Sequence, residues 1–271
     1  MSSQNVAPYQ QTIQGFEEFL GGSGRVEILH VSAESALAQL NGRAPEVVFA
    51  LGASAFQQAE KWPGDPPILV TMVLSAANLN KTEQDLLVTL KPSVTQQLKA
   101  HAKFLPDARR VGVLYDPAES QQWVDEAEIA AKTLGLEVVA IAINTPHELP
   151  GALKALSRRA DSILGIPDRT VYSSNTAKAI LLFSYRNRIP FVGMSSAWVK
   201  AGALYSLDWD YIELGRQCGG LAKQILDGIA PAELHAQVPK QLRYHINLKS
   251  AEQFKLSFEP ELIAGAAEVY R

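Results

Sequence analysis

The sequence predicts an α/β fold with parallel sheets flanked by helices, and three observations predict it. Short β-branched runs alternate along the chain with segments of helical period, the grammar of βαβ units. Most of those runs are apolar on both faces, as strands of a helix-covered parallel sheet are. Eight or more such strands suit two modest sheets better than one, so the chain reads as two lobes.

The predicted strands, in order, are Val26–Val31, Val47–Leu51, Ile68–Val73, Arg110–Tyr115, Val138–Ile143, Ser162–Ile166, Ile189–Val192 and Ala203–Ser206. Helical period is read over Gln97–Leu105, Gln122–Leu134, Glu148–Arg158, Thr176–Arg188 and Tyr211–Leu226. The last of these is closed by Asp227-Gly228, a C-terminal stop signal. A complete βαβαβ series restarts after Pro106-Asp107, which places a first crossing between lobes there. Ser206-Leu207-Asp208-Trp209 is a candidate second crossing. No low-complexity linker, heptad run or repeat of 20–50 residues interrupts the pattern.

Composition narrows the class. The 271 residues are about twice the ~150 of a typical domain. Hydrophobic residues at 47% and charged residues at 20% describe a globular chain and exclude a disordered one. Lys+Arg 25 against Asp+Glu 28 leaves a net charge of −3 with no basic block, which argues against nucleic acid as a partner. No apolar run approaches the ~20 residues of a membrane span, and no signal-peptide pattern opens the sequence. The single Cys218 forbids an internal disulfide and a cysteine-based zinc cluster. Neither a metal nor a cofactor is expected.

In open α/β sheets ligands bind beyond the carboxyl ends of the strands, where helix N-termini offer unpaired amides. The turns that follow the predicted strands are Gly52-Ala53-Ser54-Ala55, Leu74-Ser75-Ala76-Ala77-Asn78, Tyr115-Asp116-Pro117, Pro167-Asp168-Arg169-Thr170-Val171-Tyr172-Ser173, Gly193-Met194-Ser195-Ser196-Ala197-Trp198 and Ser206-Leu207-Asp208-Trp209-Asp210. They hold hydroxyls, carboxylates and aromatics, a set that can take a small zwitterion by its carboxylate, ammonium and body. Each Ser or Asp also suits a helix N-cap. Asp168 is the leading candidate, because it follows a strand and Pro167 biases the preceding backbone away from helix.

Enzyme signals are weak. Gly193-Met194-Ser195-Ser196-Ala197 approaches the G-x-S-x-G nucleophile elbow but ends in Ala. His30, His101, His147, His235 and His245 are scattered. His235 follows a Pro-rich turn and His245 sits in a strand-like alternation, so neither completes a triad by position. Gly21-Gly22-Ser23-Gly24 follows a helix and is a turn rather than a phosphate loop. Trp62, Trp123, Trp198 and Trp209 are core by default, the last two standing out because each follows a candidate turn. A hydrolase is therefore the least favoured reading.

The residues carry a family resemblance. Leu105-Pro106-Asp107-Ala108-Arg109-Arg110-Val111-Gly112-Val113-Leu114-Tyr115-Asp116-Pro117 resembles a segment of one family of ABC-transporter substrate-binding proteins, whose members include binders of tryptophan and tyrosine. Ala160-Asp161-Ser162-Ile163 leading to Pro167–Ser173, Arg188–Gly193, Gly202-Ala203-Leu204 leading to Asp210–Gln217, and Ile246–Ala251 match as well. The resemblance is good over about residues 90 to 270 and looser before.

The resemblance implies a type I periplasmic-binding fold: two hinged, Rossmann-like lobes with a ligand held in the cleft. It assigns 1–107 plus 207–238 to lobe 1 and 108–206 plus 239–271 to lobe 2. The chain is then expected to be an extracytoplasmic solute-binding protein of an ABC importer, not an enzyme. It would be periplasmic or membrane-anchored after loss of a signal or lipoprotein peptide. Its partners would be a small-molecule ligand, an amino acid or similar zwitterion, and a membrane permease, with the protein itself a monomer. Carried over by position, Asp168 would meet the ligand's amino group, and Ser54 and Ser75 its carboxylate. Tyr172, Ser195, Ser196 and Asp210 would line the other wall or its hinge. A sensor of the same fold that signals to a kinase or cyclase is the alternative.

Two departures from the family pattern matter. Many relatives carry Asp-Pro where this chain has Leu74-Ser75-Ala76-Ala77-Asn78. Residues Met1–Tyr9 look like the Ser-containing turn that follows a first strand, with almost no strand ahead. The sequence is therefore expected to be trimmed, or its first lobe open or completed by a partner chain.

Overall fold

The structure, a computed structural model, describes residues 2, 6–21, 45–73, 79–90, 92–234, 238–239 and 242–271. The predicted strand at 26–31, the Gly22–Gly24 turn, Ser75, His30 and His235 lie outside the described residues. In chain order the elements are α1 (Ala7–Gly21), β1 (Val48–Leu51), α2 (Ala53–Ala59), β2 (Ile68–Thr71), β3 (Leu86–Leu87), α3 (Val94–Phe104), β4 (Arg110–Tyr115), α4 (Pro117–Thr133) and β5 (Glu137–Ala142). There follow α5 (Leu149–Leu156), β6 (Ser162–Leu164), α6 (Ser174–Asn187), β7 (Phe191–Val192), α7 (Ser196–Lys200), β8 (Tyr205–Trp209), α8 (Tyr211–Leu226), β9 (Leu242–Asn247), α9 (Leu248–Gln253), α10 (Pro260–Ala264) and β10 (Glu268–Tyr270). The chain divides into two compact units, 1–91 plus 209–242 and 92–208 plus 243–271.

In the first unit β1, β2 and β3 form a parallel sheet in that order, with Val48 opposite Ile68 and Leu69 opposite Leu86. All four residues of β2 are buried, as the two-sided apolar run requires. The strand stops at Thr71 because Met72 turns into the left-handed region at φ 62. Ser2 pairs in parallel with Leu51 on the other edge of β1, so the start of the chain reaches the edge where a gap was expected. Phe16 stacks on Phe49 at 4.1 Å and joins Leu20, Leu69, Leu86, Trp209, Leu214 and Leu221 in one core.

Helices α1 and α8 cross within this unit at two glycines. A Cβ on Gly15 would overlap the carbonyl of Ile212, and one on Gly215 the carbonyl of Thr12. The backbones therefore touch directly, which only glycine permits. The indole Nε1 of Trp209 donates to the carbonyl of Leu90 at 2.7 Å, tying the start of α8 to the strand side of the unit.

The second unit holds a four-stranded parallel sheet in the order β5-β4-β6-β7. The predicted span of β4 matches the observed one residue for residue, and its pairing runs from Arg110–Glu137 to Tyr115–Ala142. A parallel bridge between Gly193 and Ser206 continues the pairing towards β8, the edge strand of a sheet ordered β10-β9-β8. Strands β9 and β10 were missed except for the alternation around His245, and β3 is too short to carry a pattern.

Gly112 in β4 lies against Leu156 and Ala160, where a Cβ would overlap both side chains. Asp161 accepts the backbone N–H groups of Arg109 and Arg110 and the guanidinium of Arg110, which holds its carboxyl below the usual range. Helix α3 starts on a capping box between Ser93 and Gln96. Its Val94, Leu98 and Phe104 enter the core of this unit. The first crossing consequently lies ahead of α3, at residues 91/92, rather than behind it at Asp107. The apolar face of the helix decides which unit owns it, and that face is not legible as a boundary.

Candidate ligand-binding turns

The strands β4, β6 and β7 run parallel, so their carboxyl ends lie at one edge of the sheet. Three turns meet there. Asp116 ends β4 and caps α4, accepting the Ala118 N–H at 2.9 Å with Pro117 at the first helical position. Asp168 follows β6. Ser195 follows β7 and is the N-cap residue of α7.

Asp168 is 2% exposed, and its carboxylate is engaged by the protein itself. Oδ2 accepts the Asp116 N–H at 2.7 Å and Oδ1 the Val171 N–H at 3.0 Å. Thr170 Oγ1 donates to Asp116 Oδ2 at 2.7 Å. Arg169 does not pair with Asp168; its backbone N–H and guanidinium both go to Glu119 on α4. Asp116, Glu119, Arg169 and Thr170 thus join Asp168 in a brace between the β4 and β6 turns. Sequence reasoning noted Asp116 among the turns without assigning it a role, and no local signal links it to Asp168, 52 residues away.

Tyr172 is buried, with its hydroxyl donating to the Leu164 carbonyl at 3.3 Å. Burial pushes the phenol well above its ordinary pKa. Its ring lies against Phe191 at 6.1 Å and edge-on to Trp198 at 6.2 Å, which brings the β6 and β7 turns together.

Ser195 is half-buried and extended at φ −160, and its hydroxyl makes no capping bond to α7. Ser196, also half-buried, lies close to the Tyr270 hydroxyl. Tyr270 in turn donates to Glu268 at 2.6 Å. Desolvation and the Glu268 carboxylate push the Tyr270 pKa up to about 12. His245 lies between two carboxylates, Nε2 3.5 Å from Asp208 and Nδ1 3.8 Å from Glu268. Among the described residues no triad forms, and the serine–histidine contact there joins Ser162 and His101 at 3.2 Å, both buried in the core.

In the first unit Ser54 is exposed at the second position of α2. The turn before it depends on Gly52, whose φ of 91 and ψ of 161 exclude a side chain, and whose N–H donates to Thr71 at 2.8 Å. Asp210 is 7% exposed and caps α8 by accepting the Glu213 N–H at 3.1 Å. The described residues therefore place Asp168, Tyr172, Ser195 and Ser196 at one sheet edge of the second unit, and Ser54 and Asp210 in the first.

Among the described residues no group of His, Cys, Asp and Glu is arranged to hold a metal ion, and no helix is long and apolar enough to cross a membrane. Burial raises the pKa of the Cys218 thiol, which keeps it protonated.

The chain is 27% identical over 229 residues to the tyrosine-binding protein of Clostridioides difficile (strain R20291), covering 78% of this chain and 64% of that protein. It is 24% identical over 147 residues to an uncharacterised protein of Rickettsia prowazekii (strain Madrid E), covering 54% of this chain and 48% of that one. The matches thus span less than two thirds of either relative's length. Two solved structures share the fold. A ligand-free, open substrate binding protein with adhesive properties from Clostridium difficile superposes with a TM-score of 0.81 at 21% identity, over 99% of this chain and 97% of that one. An ABC domain in complex with L-Trp from Streptococcus pneumonia does so with a TM-score of 0.61 at 21% identity, over 99% and 98%. These likenesses establish a periplasmic-binding-protein-like α/β fold. The family model for ABC transporter substrate binding proteins, which are binders and not enzymes, matches residues 30–270, and the chain belongs to that family.

Proposed function

We propose that this protein is the extracytoplasmic solute-binding component of an ABC importer, that its ligand is an amino acid, and that closure about a hinge captures it for a membrane permease. The observation that carries the reading is the Ser195–Ser196 turn at a strand's carboxyl end, where the Ser195 hydroxyl makes no capping bond to its helix. The tyrosine-binding relative adds weight to an amino acid with an aromatic side chain. Helix N-termini and hydroxyls suit the carboxylate of such a ligand, and aromatic rings suit its body.

In this reading Ser54, Ser195 and Ser196 face the ligand's polar groups, and Tyr172 and Trp198 support the wall behind them. Asp168 has two acceptor positions left after its backbone bonds, for the ammonium. Its first duty is to hold the turn in shape. Asp210 serves its helix as a cap. Closure follows because a ligand that contacts both lobes binds the closed state better than the open one.

The test is a thermal-shift screen of the purified chain against the twenty amino acids, with nucleosides and sugars as comparators. A ligand that binds only the folded protein raises its melting temperature by mass action. L-tyrosine or L-tryptophan should give the largest shift. A shift with a sugar or nucleoside and none with any amino acid overturns the ligand class.

A further inference from the structure

Helices α5 and α6 of the second unit enclose an open apolar groove of about 450 Å3, lined by Leu149, Pro150, Leu153, Leu182, Phe183 and Arg186. Its rim is exposed: Leu182 is 43% and Tyr185, next to the lining residue Arg186, 55% accessible. The two helices carry Lys154, Lys178 and Arg186 and no acidic residue. An occupant should therefore bring an apolar side chain together with carboxylates.

Helix α4 of the same unit presents that combination. Ile129 is 69% exposed, the most accessible large apolar side chain among the described residues. Asp125, Glu126 and Glu128 lie within four residues of it, all exposed. Among the described residues the carboxylates of Asp125 and Glu126 are hydrogen-bonded only by the neutral amides of Gln121 and Gln122. None of Asp125, Glu126, Glu128, Lys178 and Arg186 enters an ion pair among the described residues.

The strand order places the two surfaces apart. The step from β4 to β5 moves along the sheet in one direction, and the steps from β5 to β6 and β6 to β7 move in the other. Right-handed crossovers then put α4 on one face and α5 and α6 on the opposite face. The α4 of a chain therefore cannot fill that chain's own groove.

We propose that the groove receives α4 of a second copy of this chain, Ile129 seated among Leu149, Leu153, Leu182 and Phe183, with the acidic residues of α4 against Lys178 and Arg186. The contact is heterologous, so a pair still has one unused α4 and one unused groove, on different copies, and the association extends head to tail. One helix in one groove falls at the small end of interface sizes, which keeps the monomer dominant in dilute solution. This inference does not depend on the ligand proposed above.

Sedimentation of the full chain tests it, with Ile129→Asp and Leu182→Asp, both at exposed positions, as the variants. At low salt the weight-average mass should rise about twofold towards millimolar protein, as a contact of this size allows. It should fall back near ~1 M salt, where the screening length is about 3 Å. Each variant alone should stay monomeric. An equimolar mixture of the two should form a dimer and nothing larger, because one supplies the intact groove and the other the intact helix. A monomer at every concentration overturns the proposal. So does association that survives both substitutions, or a mixture that fails to pair.

Discussion

The carboxylate of Asp168 accepts the backbone N–H of Asp116 at 2.7 Å, joining the turns after two neighbouring strands of one sheet. A second backbone N–H, that of Val171, reaches the other oxygen at 3.0 Å. Residue 168 thereby sets the shape of a candidate binding turn before any ligand arrives.

Replacing Asp168 by Ala strands both N–H groups in a buried place. The expected cost is about 3 kcal/mol, the order for losing charge-assisted bonds and leaving buried donors unpaired. Urea denaturation at pH 7 measures it. A loss below about 0.5 kcal/mol, the size of an ordinary surface change, would show that the brace does not hold the turn.

Ser195 offers the contrasting case. Its hydroxyl makes no capping bond, so Ser195→Ala should leave the urea midpoint nearly unchanged. Its affinity for the amino acid found in the screen should nevertheless fall by about tenfold, the equivalent of one net hydrogen bond of ~1.4 kcal/mol. Calorimetric titration of the variant decides this, and unchanged affinity removes Ser195 from the site.

His101 makes stability depend on pH. Burial lowers its pKa from 6.5 to about 4, outweighing the nearby Ala108 carbonyl and the Asp161 charge, which favour the imidazolium. Between those values the unfolded chain holds a proton that the folded chain does not. Stability contributed by the neutral ring is whole above pH 6.5, declines as pH falls, and is lost by about pH 4. The full loss is about 3 kcal/mol. Urea midpoints measured from pH 7.5 to pH 4 should show this slope, and a His101→Gln variant should show less of it.

Two glycine substitutions separate close packing from helix propensity. Gly215→Ala drives a methyl group into the Thr12 carbonyl and should destabilise by about 3 kcal/mol, at the upper end for overpacking. Gly151→Ala, in α5 with nothing within 4 Å of the added Cβ, should stabilise by about 0.5 kcal/mol. Thermal unfolding of the two variants should move in opposite directions.

Much of the architecture was legible because periodicity is a local property. Arg110–Tyr115 and Tyr211–Leu226 are bounded in the sequence as they are in the structure, each by its own apolar pattern and caps. The apolar run Ile68–Val73 predicts a strand two residues longer than the one observed, since nothing in its composition announces the left-handed turn at Met72. β10 is three residues, too short for any period to register, and exists because it pairs with β9.

The sequence by itself determined the α/β class, most of the elements and the turns that carry hydroxyls and carboxylates, because each of these is written in neighbouring residues. The tertiary structure alone decided how those side chains are employed. Asp116 and Asp168 are 52 residues apart, and only the parallel pairing of β4 with β6 brings the backbone of one to the carboxylate of the other. Likewise the backbone contact of α1 with α8 at Gly15 and Gly215 joins segments 200 residues apart. Hydrogen bonds and close packing act over a few ångströms of space, so their partners follow from the path of the chain rather than from its local order.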